Sequence, residues 1–433
     1  MLDINYIRAN RQKVEDAIRN KAYEIDLDEI LKLDDARKEL SREIDALRQE
    51  RNQISAQMKG GKPAPELIEK GKELKAQLAE KEPKLAEIES EYIAKLKTVP
   101  NVPEDDVPIG LSEDDNQVAE VCGEIPEIKD PKNHAEIAAT RGWLDKERAA
   151  KIAGARFAYI KGDMVKLQMA IVNFVMNSLT NEAIIKEIAE KAGLTGKVSE
   201  KPFTIVLPPL MLRTEVYDAM DRLEPREDRY KIEGQELWLQ GSAEHVLGSM
   251  HMNEIFEEKE LPIRYLGYAT SFREEAGTYG KDMEGIFRMH QFDKLEMESF
   301  STKDTSRAEH EFFVAIQRWL VEQLELPYRV IRKCTFDIGK PDARGIDIEV
   351  WLPGQGKYRE THTADYMTDY QSRRLQTRVR RDNGDLELVH TNDATAFALG
   401  RIMIAIIENY QNPDCTVRVP KVLQKYLDGK EII

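Results

Sequence analysis

The stretch FREEAGTYGKDMEGIFRMHQFDKLE, Phe272 to Glu296, gathers side chains able to grip a phosphate and a purine. Leu266 to Glu275 and Ile286 to Glu298 read as two strands, with Gly277, Gly280 and Gly285 supplying turn freedom between them. Alternation then sorts the side chains. Ser271, Arg273 and Glu275 share one face of the first strand. Arg288, His290, Phe292, Lys294 and Glu296 share one face of the second, while Met289, Leu295 and Met297 point to a core. A merely solvated face would carry Lys and Thr; this one mixes Arg with Phe and Glu. Arg can hold phosphate oxygens bidentately, Phe292 can stack on a base, and Glu275 can accept from an exocyclic amine. Glu296 remains for something small and polar.

Two further segments carry chemistry. TAFALGRIMIAIIENYQ, Thr395 to Gln411, reads as a buried helix, apolar nearly all round, with Arg401 in its middle. A buried guanidinium demands an anion, either a structural carboxylate or a substrate phosphate. Asp347 to Arg374 reads as strand, turn, strand, with Glu349 and Glu360 close to the strands. A triphosphate brings Mg²⁺, which takes one or two carboxylates besides phosphate oxygens and waters. His362 and His390 are isolated and suit packing. No HxxxH or Cys/His set occurs, and Cys122, Cys334 and Cys415 are far apart, so neither zinc nor a disulfide framework is expected.

The elements that must position these groups are α+β. There is no GxGxxG after a strand, no GxxxxGK[ST] loop and no repeated βαβ unit, so an antiparallel sheet with flanking helices is expected. Residues 28 to 98 stand apart. Leu33, Leu40, Leu47 and Ile54 form a heptad seam with Ile44 and Met58 beside it. GGKPAPE (Gly60 to Glu66) interrupts it, and Leu67, Leu74, Leu78, Leu85, Ile88 and Tyr92 form a second seam. Two helices of about 30 residues folded back on each other make an arm roughly 45 Å long, with a kink expected at Pro83. The arm serves either self-association or reach toward a partner. TVPNVPEDDVPIG (Thr98 to Gly110) is the linker, dividing residues 1–105 from 106–433.

The 433 residues carry a net charge of −15 and are 41% apolar. That argues against indiscriminate nucleic-acid binding but leaves room for a local RNA-binding surface, and no DNA partner is expected. No apolar run is long enough for a membrane span, and a cytoplasmic location is expected.

FREEAG followed by IFRMHQFDKLE resembles motif 2 of the class II aminoacyl-tRNA synthetases in its seryl-tRNA synthetase form. HTNDATAFALGR resembles motif 3, and VLPPL (Val206 to Leu210) the proline-bearing motif 1 of the dimer interface. The likeness extends over essentially the whole chain. It implies an ATP-dependent serine–tRNA ligase, a homodimer that forms seryl-adenylate and charges tRNA-Ser, with tRNA-Sec as a further acceptor. Carried over, Arg273 bridges the serine carboxylate and the α-phosphate, Glu275 reads the adenine amine, Phe292 stacks on the base, Arg288 lies near the phosphates and Arg401 holds the γ-phosphate. Glu274, Thr361 and His362 complete the implied ATP set, and Glu360 and Thr363 contact ATP and its Mg²⁺. Ser242 and Glu244 match the Thr-x-Glu element for the serine ammonium, and Glu296 and Thr395 approach the serine hydroxyl. The arm would grip the long variable arm of tRNA-Ser by shape and backbone, with Arg42, Arg48, Arg51, Lys70, Lys72 and Lys75 as candidates.

Departures are local. Thr363-Ala364-Asp365-Tyr366 stands where the family has Ser-Cys-Ser-Asn, Asp393-Ala394-Thr395 where it has Asn-Gly-Ser, and Ser242 replaces a threonine. The segment Asn181 to Pro202 is longer than usual. A paralogue with a non-tRNA acceptor would have little use for the arm. A non-catalytic relative would be expected to lose Arg273, Glu275, Arg288, Glu296, Glu360 and Arg401.

Overall fold

The computed structural model describes residues 1–58, 64–275 and 285–433. The turn of the arm and the loop bearing Gly277 and Gly280 lie outside them. The chain divides into two compact units, Met1–Val102 and Pro103–Ile433.

The first unit is helical. Its arm consists of α1 (Leu27–Gln57) and α2 (Pro65–Leu96) packed against each other. Asp26 caps α1 by accepting from the backbone N–H of Asp28 and Glu29, and Pro65 opens α2, where a missing N–H costs nothing. Ile44, Ile54, Leu74 and Leu78 are buried in the seam, while Leu33, Leu40 and Leu47 are half-buried. Ion pairs lace the helices together: Arg48–Glu82 at 2.9 Å, Lys81–Glu43 at 2.6 Å and Lys70–Glu50 at 2.5 Å. Pro83 leaves α2 unbroken. It sits on the exposed side of the helix, so the carbonyl it frees at Ala79 can turn to water.

The second unit is built on an eight-stranded sheet. In chain order its strands are β1 (Gln117–Cys122), β2 (Thr204–Val206), β3 (Ile263–Phe272), β4 (Gln291–Ser301), β5 (Tyr328–Arg332), β6 (Arg344–Leu352), β7 (Lys357–Thr368) and β8 (His390–Ala398). They lie in the order β1-β5-β6-β7-β8-β4-β3-β2. Every pairing is antiparallel except β2 with β3 at the edge.

Period-two alternation gives the sheet two unlike faces. Ile346, Ile348, Val350, Ala364, Ala394, Leu295 and Met297 join a core with α3 (Asp163–Leu179), α4 (Glu182–Lys191), α5 (Ser306–Gln323) and α6 (Leu399–Asn409). The opposite face carries Lys294, Glu296, Glu298, Thr363, Asp365, Asp393 and Thr395. α4, within the longer segment after Asn181, buries Ile185, Ile188 and Ala189 in the same core, so that segment serves packing. Tyr366 also falls on the helix side. It is buried, its hydroxyl 3.0 Å from Ser306 Oγ and 3.4 Å from His390 Nδ1, so this departure does not touch the polar face.

Candidate active site

The hairpin of β3 and β4 is the base of the site, with Ser271 opposite Phe292 and Ala269 opposite Lys294. Its regular strands end at Phe272 and resume at Gln291, so Arg273, Glu275, Arg288 and His290 sit beyond the strands, not on their face as alternation predicted. The reason is visible in His290. The Arg273 N–H donates to the His290 carbonyl at 2.9 Å, and His290 Nδ1 donates back to the Arg273 carbonyl at 2.9 Å. The His290 N–H bonds the Arg156 carbonyl, and its ring packs beside Phe157 and Tyr230. His290 is a fastener. A second fastener holds the returning chain: His134 Nδ1 meets the buried Glu408 carboxylate at 2.9 Å, and Ile286 N–H donates to His134 Nε2 at 3.3 Å. Gly285 is required there, since its φ is +63° and a Cβ would fall 1.8 Å from His134 Nε2.

These segments frame a cleft of about 220 Å³ lined by Arg273, Glu275, Phe287, Arg288, Phe292 and Lys294 on one side and Glu360, Thr361, Thr363, Thr395 and Arg401 on the other, with Arg222, Glu244 and Asp365 at one end. Arg273 Nε donates to the Gly241 carbonyl at 2.9 Å, and its guanidinium lies 5.4 Å from the Phe292 ring centre. Arg288 pairs with Glu275 at 2.9 Å. Arg401 corrects the sequence reading. Thr395 to Ala398 belong to β8, the helix starts at Leu399, and Arg401 lies in its first turn with 24% of its side chain exposed. Its anion is Glu360, at 3.0 Å, and it stacks 5.0 Å over Phe287.

Two irregularities aim the central strands. β7 shifts register opposite Ile348 and Glu349, and β8 shifts between Thr395 and Phe397. Such bulges re-aim side chains. On β7 the result is that Glu360, Thr361 and Thr363 all reach the cleft. Gln317 of α5 braces both strands by donating to the carbonyls of Thr363 at 2.7 Å and Thr395 at 2.9 Å. His362 points away. Its ring packs 5.2 Å from Phe397, Nδ1 meets Thr361 Oγ1, and burial drives it to about 3, keeping it neutral. Glu274 also lies off the cleft, its N–H bonded to the Asp228 carbonyl and its side chain beside Tyr230. Glu360 and Thr363, which both line the cleft, offer only oxygen donors, the kind a hard divalent cation takes.

The end near Glu244 is polar and crowded. Ser242 Oγ lies 3.0 Å from Glu244 Oε2 and 3.4 Å from Glu296 Oε2, and receives a bond from Lys294 Nζ at 3.1 Å. Lys294 also pairs with Glu296. Ser242 and Glu296 are fully buried, forming the layer under the cleft floor. Burial pushes the Glu296 carboxyl up to about 7, with Glu244 adding to the rise and Lys294 opposing it. Glu244 behaves oppositely: burial raises it, but Arg222, His245 and Lys294 together hold it well below the usual carboxylate range. Sequence reasoning passed over Arg222 and Asp365. Arg222 stands in no motif, and the available signal was the acids Asp365 and Glu298 within segments expected as strands, with Asp393 in the motif 3 stretch, a surplus that calls for a cation.

A polar cleft on an antiparallel sheet, holding arginines from the hairpin and from the helix after the last strand, defines a class II aminoacyl-tRNA synthetase. Residues 228–410 match the tRNA synthetase class II core domain (G, H, P, S and T), and residues 1–103 match the seryl-tRNA synthetase N-terminal domain. The serine–tRNA ligase of Nitrosopumilus maritimus is 35% identical over the whole of both chains. That of Pyrococcus horikoshii is 38% identical over all of this chain and 98% of its own. Among solved structures, the P. horikoshii seryl-tRNA synthetase complexed with ATP superposes with a TM-score of 0.86 at 37% identity, covering 100% of this chain and 99% of that one. The cytoplasmic serine–tRNA ligase of Naegleria fowleri in complex with AMP gives 0.83 at 25%, covering 100% and 98%. The chain belongs to the seryl-tRNA synthetase family.

Proposed function

We propose that this chain activates L-serine with ATP and transfers the seryl group to the 3′ end of tRNA-Ser, with tRNA-Sec as a second acceptor. The observation that carries the reading is one cleft bringing Arg273, Arg288 and Arg401 together with Glu244. These are a phosphate-binding set and an ammonium-binding carboxylate, in a chain related over its full length to serine–tRNA ligases.

In the first step a serine carboxylate oxygen attacks the α-phosphorus of ATP. One P–O bond forms, and the bond to the bridging oxygen breaks to release pyrophosphate. Two anions must meet, so the work is alignment and charge stabilisation. Arg273 is fixed by the Gly241 carbonyl to bridge carboxylate and α-phosphate. Phe292 stacks the adenine while Glu275 accepts from its amine, and Arg288 and Arg401 take the outer phosphates, exchanging Glu275 and Glu360 as partners. The nucleophile is already ionised, so no general base is assigned. Glu360 and Thr363 would hold Mg²⁺, which neutralises phosphate charge when bound. Glu244 takes the serine ammonium and Thr395 the side-chain hydroxyl, each backed from beneath the cleft floor by the buried Ser242 and Glu296. Alanine and glycine would leave those buried groups unsatisfied.

The N-terminal unit is assigned to tRNA, its arm reaching the long variable arm of tRNA-Ser. A homodimer through Val206–Leu210 is supported by the apolar surface there, where Leu207 is 76% exposed. No helix among the described residues is long and apolar enough to cross a membrane, and a cytoplasmic setting fits the reading.

The test is ATP–pyrophosphate exchange with serine, threonine, alanine, glycine and cysteine, run beside charging of a tRNA-Ser transcript. Exchange with serine alone, plus charging, is expected. Exchange without charging would move the acceptor to a non-tRNA carrier, and no exchange from folded protein with Mg²⁺ would overturn the reading.

A further inference from the structure

The polar face of the sheet carries a transverse row of acids. Asp365 of β7 stands opposite Asp393 of β8, and Asp393 opposite Glu298 of β4. All three are at most 8% exposed. Like charges directly opposite on adjacent strands are destabilising, and so are buried carboxylates without donors. Both oxygens of Glu298 and of Asp393, and one of Asp365, find no hydrogen-bond donor among the described residues.

Arg222 reaches over this row from the turn that follows the helix Thr214–Ala219. Its Nη2 lies 3.5 Å from Asp393 and 3.4 Å from Asp342, and its Nε 3.2 Å from Glu244 Oε1. The guanidinium is braced from outside the cleft. Asp342 is itself held by the Gly339 N–H at 2.8 Å, and the Arg222 carbonyl takes a bond from Arg229 Nε at 3.1 Å. Only 15% of the Arg222 side chain is exposed, and it forms part of the cleft wall beside Glu244. Its position therefore couples a fixed loop to the one cleft-lining carboxylate assigned to the substrate ammonium.

We propose that Arg222 is a positioning residue of the amino-acid subsite: braced by Asp342, it fixes the Glu244 carboxylate to receive the α-ammonium group of the substrate, and it is the cation that faces the buried Asp365–Asp393–Glu298 row at Asp393. The proposal rests on the serine-activating reading. It separates two jobs, substrate binding through Glu244 and sheet stability through the row, and the jobs respond differently to substitution.

The experiment compares the full-length wild type with R222K, R222Q and R222Q/D393N, reading melting temperature and the serine and ATP dependence of pyrophosphate exchange. R222Q is expected to raise the serine KM about tenfold or more while the ATP KM stays within about twofold, because a buried charged partner of Glu244 is lost. R222K restores part of the serine KM. R222Q/D393N recovers melting temperature by removing one acid of the row, but keeps the raised serine KM; it carries the measurement if R222Q does not fold. An unchanged serine KM in a folded R222Q or R222Q/D393N protein overturns the proposal. So does a serine KM that returns to the wild-type value in R222Q/D393N, which would make Arg222 a counter-ion of the sheet alone. Absence of serine exchange in the wild type is a different result, and it overturns the serine reading itself.

Discussion

Arg401 and Arg273 face the cleft in unlike ways. Arg401 stacks on Phe287 and is neutralised by Glu360, while Arg273 is held by a carbonyl. Arg273→Ala is expected to lower kcat of exchange by roughly 10²- to 10³-fold, because it removes charge stabilisation in the transition state. Arg401→Ala is expected to raise the ATP KM as well, since its partner carboxylate would then face the outer phosphates alone. A second residue-scale expectation concerns Glu298. Burial, with Glu244 and Glu296 nearby, holds its carboxyl well above the usual range. The folded state then binds a proton that the unfolded chain has released, so this group's contribution to stability falls as pH rises above the unfolded carboxylate value. Glu298→Gln is therefore expected to be near neutral at acid pH and to stabilise by about 1–2 kcal/mol at pH 8, read as melting temperature against pH. Much of the cleft lining was legible because arginines, glutamates and one aromatic together on an expected strand have few other uses. His362 was not separable from its neighbours, since which side of the strand it takes depends on a bulge that sequence does not mark, and Glu274 lies past the strand end, where its N–H bonds the Asp228 carbonyl.

At the scale of elements, the hairpin, the strand pair of Asp347–Arg374 and the two long helices were all readable from periodicity. Their ends were not. The second hairpin strand starts at Gln291 and not at Ile286, because His134 and Arg156, remote in sequence, take over the chain's hydrogen bonds. Likewise Thr395 to Ala398 looked helical, yet pair as strand with Glu296 to Lys294. Apolar runs suit either state until tertiary pairing decides. The bulged strands make α5 part of the site. Gln317→Leu removes donors from two strand carbonyls and is expected to destabilise by about 1–3 kcal/mol, with the serine KM rising more than the ATP KM because Thr395 shifts. Denaturant unfolding and substrate-dependent exchange read the two effects separately.

For the whole molecule, the fold class expected from the missing phosphate-loop motifs is the one observed, and the eight-stranded sheet has a single parallel pairing, at its edge. The first unit refines the arm's expected role. Of the six basic candidates, Arg48 and Lys70 hold the hairpin together through Glu82 and Glu50. Arg42, Arg51, Lys72 and Lys75 are exposed and in no ion pair among the described residues. Changing those four to Glu is expected to raise the KM for tRNA-Ser by at least about tenfold, increasingly so at low salt, while leaving serine-dependent exchange unchanged. Equal loss of both activities would remove the arm from tRNA recognition.

The Glu296 carboxyl, raised to about 7, lies buried against Ser242 and Lys294 directly beneath the amino-acid subsite. On the proposed reading a substrate ammonium arrives above it and favours the ionised form, so serine binding is expected to displace part of that proton. Calorimetric titration with serine near neutral pH should therefore release part of a proton to solvent. The measured heat should change with the ionisation enthalpy of the buffer, and affinity should tighten as pH is raised through 7. The chain would then report the filling of its amino-acid site as acidity, before any bond has been made or broken.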